Sequence, residues 1–452
     1  MFKNFLLNLP EIKKPGKVLT FNEKIKWTLI VLIAYFVMAS IPLYGLSQNA
    51  LSKFEFLAII LGAKFGSLMS LGIGPIVTAS IVLQLLVGSK ILNIDLKTKE
   101  GRAYFQGLQK FLAIFFTLFE ASVYVLMRGL EAKPGMEIFL ILQLFIVGIL
   151  VIYMDELVSK YGFGGGVSLF IVGGVAYELF IRAFSFIGPT GIQPIGKVWV
   201  LISSIASGNT VEATSALVAI LATIFIFVFV VYAQSIRAEI PLSFGRIKGF
   251  GLRWPLAFLY TSNIPVILTA ALLANIHLFA SLLQNWLKHP TFLGGFNNGV
   301  AVSGLAFWLN PPPITETLIR GVFHPIIIAQ IFIFILFMVG FSILFSVFWV
   351  QTSGMDAKTV AEQIVASGLR IPGFRADARV IEVILDKYIM PLTVMGGATV
   401  GLLAALADVL GALVRGTGLL LAVMIVYRLY QEIATQHMYD MHPTLKKFVG
   451  EV

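Results

Sequence analysis

The chain has 452 residues, of which 58% are hydrophobic and 12% charged, with no cysteine and a formal net charge of +10. Soluble domains carry roughly 25% charged residues. This composition, with a mean hydropathy of +0.91, therefore excludes a water-soluble enzyme and predicts an all-α, polytopic membrane protein. The lack of thiols excludes disulfide frameworks, thiolate metal sites and cysteine nucleophiles.

Residues 1–26 are mostly polar and show no small-residue cleavage site of a removable signal. Phe2, Phe5, Leu6 and Leu9 recur at helical spacing ahead of Lys13, Lys14 and Lys17. They read either as a cytoplasmic amphipathic segment lying on the membrane or as a frayed tail. A helical crossing takes about 20 apolar residues. The uncharged runs then predict ten spans, at 27–46, 69–88, 108–128, 137–157, 165–186, 213–236, 257–280, 326–349, 389–410 and 416–436.

Most of the 33 Lys and Arg residues fall in segments on the same side as the N-terminus. Basic residues mark the cytoplasmic face, so both termini are expected in the cytoplasm. The N-terminal half (27–186) and the C-terminal half (213–436) each hold five spans and so run in opposite senses, with an outer loop at 187–212 between them. Cytoplasmic loops follow at 237–256 and 350–388, an outer loop at 281–325 and a cytoplasmic tail at 437–452. Opposed halves fit an inverted repeat, which places the working site between them near the midplane. No residue-level repeat is evident.

Four places break the pattern of ordinary spans. Residues 54–66 form an apolar piece too short to cross, since about twelve helical residues reach about 18 Å against a hydrocarbon thickness of about 30 Å. The piece either re-enters the protein or lies on its outer surface, and Lys64 and Glu55 should face water. Gly74-Pro75 should open the span 2 helix, because proline suits a first helical turn; Ile73 and Val77 then share a face. Gly164-Gly165-Gly166 opens span 5, with Val167 and Ile171 again four apart, and Pro265 interrupts the apolar run of span 7. Together the last three, in spans 2, 5 and 7, favour helices broken at depth around a cavity over mere small-residue packing.

The runs Leu71-Gly72-Ile73-Gly74-Pro75-Ile76-Val77-Thr78-Ala79-Ser80 to Gln84, and Asp155-Glu156-Leu157 through Gly162 to Ser168, resemble the two signature segments of the SecY family. Ser262-Asn263-Ile264-Pro265 and Gly416-Thr417-Gly418-Leu419-Leu420 match further positions, and the likeness, of archaeal type, covers essentially the whole chain. The resemblance implies a channel that passes secretory polypeptides across the plasma membrane and releases membrane segments sideways into lipid. It implies an aliphatic pore ring of Ile73, Val77, Val167, Ile171, Ile264 and Leu421. A pore for arbitrary polypeptides cannot offer charges that would grip some of them, whereas apolar side chains close by dewetting.

The same resemblance implies a plug at 54–66, carrying Phe54, Phe56, Leu57, Ile59, Ile60, Leu61 and Phe65. It implies a lateral gate between spans 2 and 7, whose polar residues here are Thr78, Ser80, Gln84, Glu120 and Asn263. It implies ribosome docking through Arg246, Lys248 and Arg253 in one loop and Arg370 and Arg375 in the other, where Pro372-Gly373 indicates a projecting turn. The expected partners are a SecE-like subunit, a small accessory subunit, the translating ribosome, and signal sequences with their nascent chains.

No cofactor is expected: the chain has no G-x-x-x-x-G-K-[ST] phosphate loop, and its five histidines are scattered. The rival reading is an ion-coupled secondary transporter, which also uses broken helices but needs ionisable groups at mid-depth. An intramembrane hydrolase lacks a nucleophile and base pair.

Overall fold

The computed structural model describes residues 9–17, 19–49, 63–88, 91–94, 98–186, 196–244, 251–261, 263–297, 300–319, 321, 324–366, 369–370 and 377–441. The expected plug positions Phe54, Phe56, Leu57, Ile59, Ile60 and Leu61, with Glu55, lie outside them, as do Arg246, Lys248 and Arg375.

The chain is a multi-pass helical membrane protein, and among the described residues nine helices are long and apolar enough to cross a membrane. Ten spans were expected. The tenth is Phe21–Ser40, whose start carries Glu23, Lys24 and Lys26 and so falls outside that apolar set. Those charges serve the helix end: Thr20 and Glu23 form a capping box, with the Thr20 N–H donating to Glu23 Oε2 at 2.8 Å. The helix stops at Ser40, so the expected extension to residue 46 is instead a turn leading into strand β1, Leu46–Asn49.

Span 2 is a helix at Gly74–Gly88, preceded by a 3-10 turn at Leu68–Ser70. Fifteen residues rise only about 22 Å, so the irregular stretch completes the crossing. That stretch is enclosed, Met69 and Ile73 being fully buried, as non-helical backbone at membrane depth requires. Spans 3 to 6 are Lys99–Leu126, Glu137–Tyr161, Gly166–Phe184 and Thr210–Ser235. Span 7 is Ile264–Leu287. Pro265 therefore does not break a helix; it stands in the first turn of one that starts seven residues later than the apolar run suggests. Spans 8, 9 and 10 are Pro325–Thr352, Ala378–Leu410 and Gly416–Met441.

Span 7 is the most enclosed, with 72% of its apolar window buried against 28% for span 8, and so lies at the centre of the bundle. Spans 8 and 9 meet through small residues. A Cβ on Gly397 would stand 2.5 Å from Ser346 Oγ, and one on Gly401 2.7 Å from the Met338 carbonyl oxygen. Without side chains there, the two backbones approach closely.

The loops are not structureless. β1 pairs antiparallel with β2, Leu130–Ala132. The loop expected at 237–256 is a hairpin of β3, Arg237–Phe244, and β4, Gly251–Ala257. β5, Gly295–Asn297, and β6, Val300–Ser303, form a hairpin in the outer loop. β7, Leu369–Arg370, joins β3 to give a three-stranded sheet in the order β4-β3-β7.

Candidate functional site

The six residues expected to form an aliphatic ring belong to one apolar cluster. Ile73, Val77, Ile171 and Leu421 are buried in it, and Val167 and Ile264 pack partly buried against it. They come from the starts of spans 2, 5, 7 and 10, so each irregular helix start delivers aliphatic carbon to the same core. On span 7, Ile267 one turn further is also buried there; the motif pointed only at Ile264. Among the described residues no group of His, Asp or Glu is placed to hold a metal ion.

A polar network crosses the boundary between spans 2, 3 and 7. Thr78 Oγ1 donates to Glu120 Oε1 at 2.9 Å, and Asn275 Nδ2 donates to Thr78 Oγ1 at 3.2 Å. Glu120 is 3% exposed, so its carboxyl is held inside the bundle and away from lipid. Lower on the same boundary, Gln109 Nε2 donates to Ser80 Oγ at 2.7 Å. Thr78 and Glu120 therefore meet directly, whereas Ser80 is held separately, by Gln109.

Asn263 does not join them. It is buried at the N-cap of span 7, twelve residues and about 18 Å along the helix from Asn275. Gln84 is likewise apart: it is buried, and its Oε1 has no hydrogen-bond partner among the described residues. Asn275 and Gln109 were missed because a lone amide in an apolar helix carries no spacing signal. Elsewhere, Thr261, in the turn before span 7, shares a hydrogen bond with Ser346 at 3.1 Å and Thr269 of span 7 one with Ser342 at 3.3 Å, tying this part of the chain to span 8.

At one end of the bundle a cavity of about 980 Å³ is bounded by Tyr35, Phe65, Gly174, Tyr177, Pro313 and Leu413. Its wall also carries Lys64, Arg182, Lys197 and Arg415 against Glu178 and Asp408, a positive balance. Phe65, the one expected plug position that is described, packs edge-on to Tyr124 at 6.3 Å, and Lys64 is exposed. At the other end the N-terminal segment straps spans 3 and 4. Glu156 accepts from the Ile12 N–H at 3.0 Å, from Lys110 at 2.8 Å and from Lys160 at 2.8 Å.

Arg253 projects from β4, 77% exposed, and pairs with Glu239 of β3 at 2.9 Å. Arg370 lies in β7 opposite Ser243. The two basic loops, far apart in sequence, thus share one sheet.

The SecY family model matches residues 67–430, and that for the plug domain of Sec61p matches residues 33–66. The chain is 48% identical over 451 residues to the protein translocase subunit SecY of Methanothermobacter thermautotrophicus, covering 98% of this chain and 97% of that protein. It is 41% identical to that of Methanocaldococcus jannaschii, covering 99% and 98%. A solved structure described as a protein conducting channel superposes with a TM-score of 0.82 at 40% identity, covering 97% of this chain and 98% of that one. Sec61 in the canine ribosome-channel complex from the endoplasmic reticulum gives 0.78 at 39% identity, over 97% and 98%. With aliphatic helix starts converging on one core and full-length relatives of a single kind, the chain belongs to the SecY family.

Proposed function

We propose that the protein is the channel-forming subunit of a translocase, passing unfolded secretory polypeptides through its centre and releasing hydrophobic segments sideways into the membrane. The observation that carries this reading is the convergence of Ile73, Val77, Val167, Ile171, Ile264 and Leu421, from four separate helix starts, on one apolar cluster. The translocase names of its relatives and the channel structures it resembles support the same reading.

The six residues form a hydrophobic waist that excludes water and ions at rest and deforms around a moving chain. Segment 54–66 is the plug, and the Thr78–Glu120–Asn275 boundary is the gate toward lipid. The two loops that carry Arg246, Lys248, Arg253, Arg370 and Arg375, joined through the sheet β4-β3-β7, are the ribosome-docking elements. The Sec61 relative in a ribosome-channel complex supports this assignment. A SecE-like and a small accessory subunit complete the complex in a plasma membrane; both termini are cytoplasmic, as the distribution of basic residues implies.

In proteoliposomes, replacing Ile73, Val77 and Ile264 together by serine should raise the resting ion conductance several-fold. An unchanged conductance with normal assembly would remove the waist assignment.

A further inference from the structure

The two halves share a device at their fifth helices that no stretch of sequence identity advertises. In the first half, Asp155 of span 4 accepts the Val167 N–H on Oδ1 at 2.9 Å, at the start of span 5. In the second, Asp408 of span 9 accepts the Gly416 N–H on Oδ1 at 2.7 Å, at the start of span 10. Each receiving helix opens on a glycine pressed against the carboxylate-bearing helix. A Cβ on Gly166 would stand 2.5 Å from Asp155 Cα, and one on Gly416 2.0 Å from Ala407 Cβ and 2.6 Å from the Asp408 nitrogen.

Helix starts leave N–H groups unpaired and carry partial positive charge, so a carboxylate there both satisfies and attracts them. Span 5 begins beside the end of span 10, where the Gly164 N–H donates to Glu432 at 3.1 Å, so the two helices run antiparallel and their clamps sit at opposite ends of the bundle. From each glycine the chain reaches an expected ring residue in the same number of steps, Gly166 to Ile171 and Gly416 to Leu421.

We propose that Asp155 and Asp408 are paired positioning residues, each fixing the height of one of two oppositely directed helices so that Ile171 and Leu421 meet at the same level. The proposal rests on the ring reading above. Because each clamp holds its own helix, loss of one should loosen one ring residue and leave the other in place; loss of general stability would loosen both.

The cysteine-free chain allows a clean test. Ile171→Cys or Leu421→Cys is introduced with and without Asp155→Asn or Asp408→Asn. Each chain is reconstituted in vesicles with its partner subunits. Labelling by a charged maleimide present on both sides is timed at rest and with a hydrophobic signal peptide. Asp155→Asn should speed resting labelling at position 171 about tenfold, the factor given by 1.4 kcal/mol, and leave position 421 within about twofold; Asp408→Asn should do the reverse.

Equal acceleration at both positions, or none, overturns the proposal. Where an Asn variant fails to assemble, Asp→Glu at the same position keeps the charge but misplaces it, and must give the same selectivity at smaller size for the proposal to stand. If the signal peptide leaves both cysteines of the parent chain unlabelled, the ring reading alone falls, and the selectivity of the resting rates still decides the clamps.

Discussion

Asn275 reaches Thr78 across the boundary between spans 7 and 2, while Thr78 also holds Glu120 of span 3. Under the gate reading proposed above, opening that boundary would break the Asn275 bond and spare the Thr78–Glu120 bond, because spans 2 and 3 would lie on the same side of it. Hydrogen bonds between membrane helices are worth about 0.6 kcal/mol on average, and each leucine entering lipid gains about 0.3–0.6 kcal/mol. Asn275→Leu should therefore lower the signal hydrophobicity needed for export by one or two leucines, read from a series of signals of graded leucine content; a raised threshold would contradict the gate assignment. Thr78 and Glu120 stood out in the sequence because they accompany a motif or interrupt an apolar run at depth. Asn275 did not, because its role depends on which face of span 7 meets span 2.

At the scale of elements, glycine placement decides how closely spans 8 and 9 approach. Gly401 has the Met338 carbonyl oxygen and Ser342 where a Cβ would go, whereas Gly340 on span 8 has nothing within 4 Å. Overpacking costs about 1–3 kcal/mol, while alanine in place of glycine favours a helix by about 1 kcal/mol. Gly401→Ala should lower the thermal midpoint of the purified protein, and Gly340→Ala should leave it unchanged or raise it.

The helix starts at Gly74 and Gly166 were legible because proline and glycine punctuate the chain there, and Pro265 marked a start where an interruption was expected. The β3–β4 hairpin was not legible. Pro241 and Pro255 argue against strands, and they are tolerated because each lies where its strand has only one neighbour, Pro241 facing Arg253 and Pro255 facing Glu239. The Asp155 and Asp408 clamps were hidden too, because the carboxylate lies eleven residues before its glycine in one half and eight in the other. The geometry repeats where the spacing does not.

For the whole molecule, the sheet β4-β3-β7 joins two loops that are far apart in sequence, with Arg253 in β4 and Arg370 in β7. Arginine suits phosphate oxygens because its planar fork donates in pairs. Replacing Arg370 and Arg375 together by glutamate should weaken ribosome binding at least about tenfold at 0.1 M salt, the loss of one charge-assisted hydrogen bond. Exposed charges are screened beyond about 10 Å at that ionic strength and more strongly above it, so the difference from the parent chain should shrink as salt rises. Sedimentation of the reconstituted complex with ribosomes reads both effects, and equal binding by parent and variant would detach these loops from docking.

The cavity at the other end has an electrical consequence. Its volume of about 980 Å³ reaches Gly174, one turn from Ile171, and at about 30 Å³ per molecule it has room for roughly thirty waters. Filled with water, a cavity that deep would shorten the dry path over which the transmembrane voltage falls. An elementary charge crossing 100 mV gains or loses about 2.3 kcal/mol, so acidic and basic stretches of a passing polypeptide would meet that force over a shorter part of the channel.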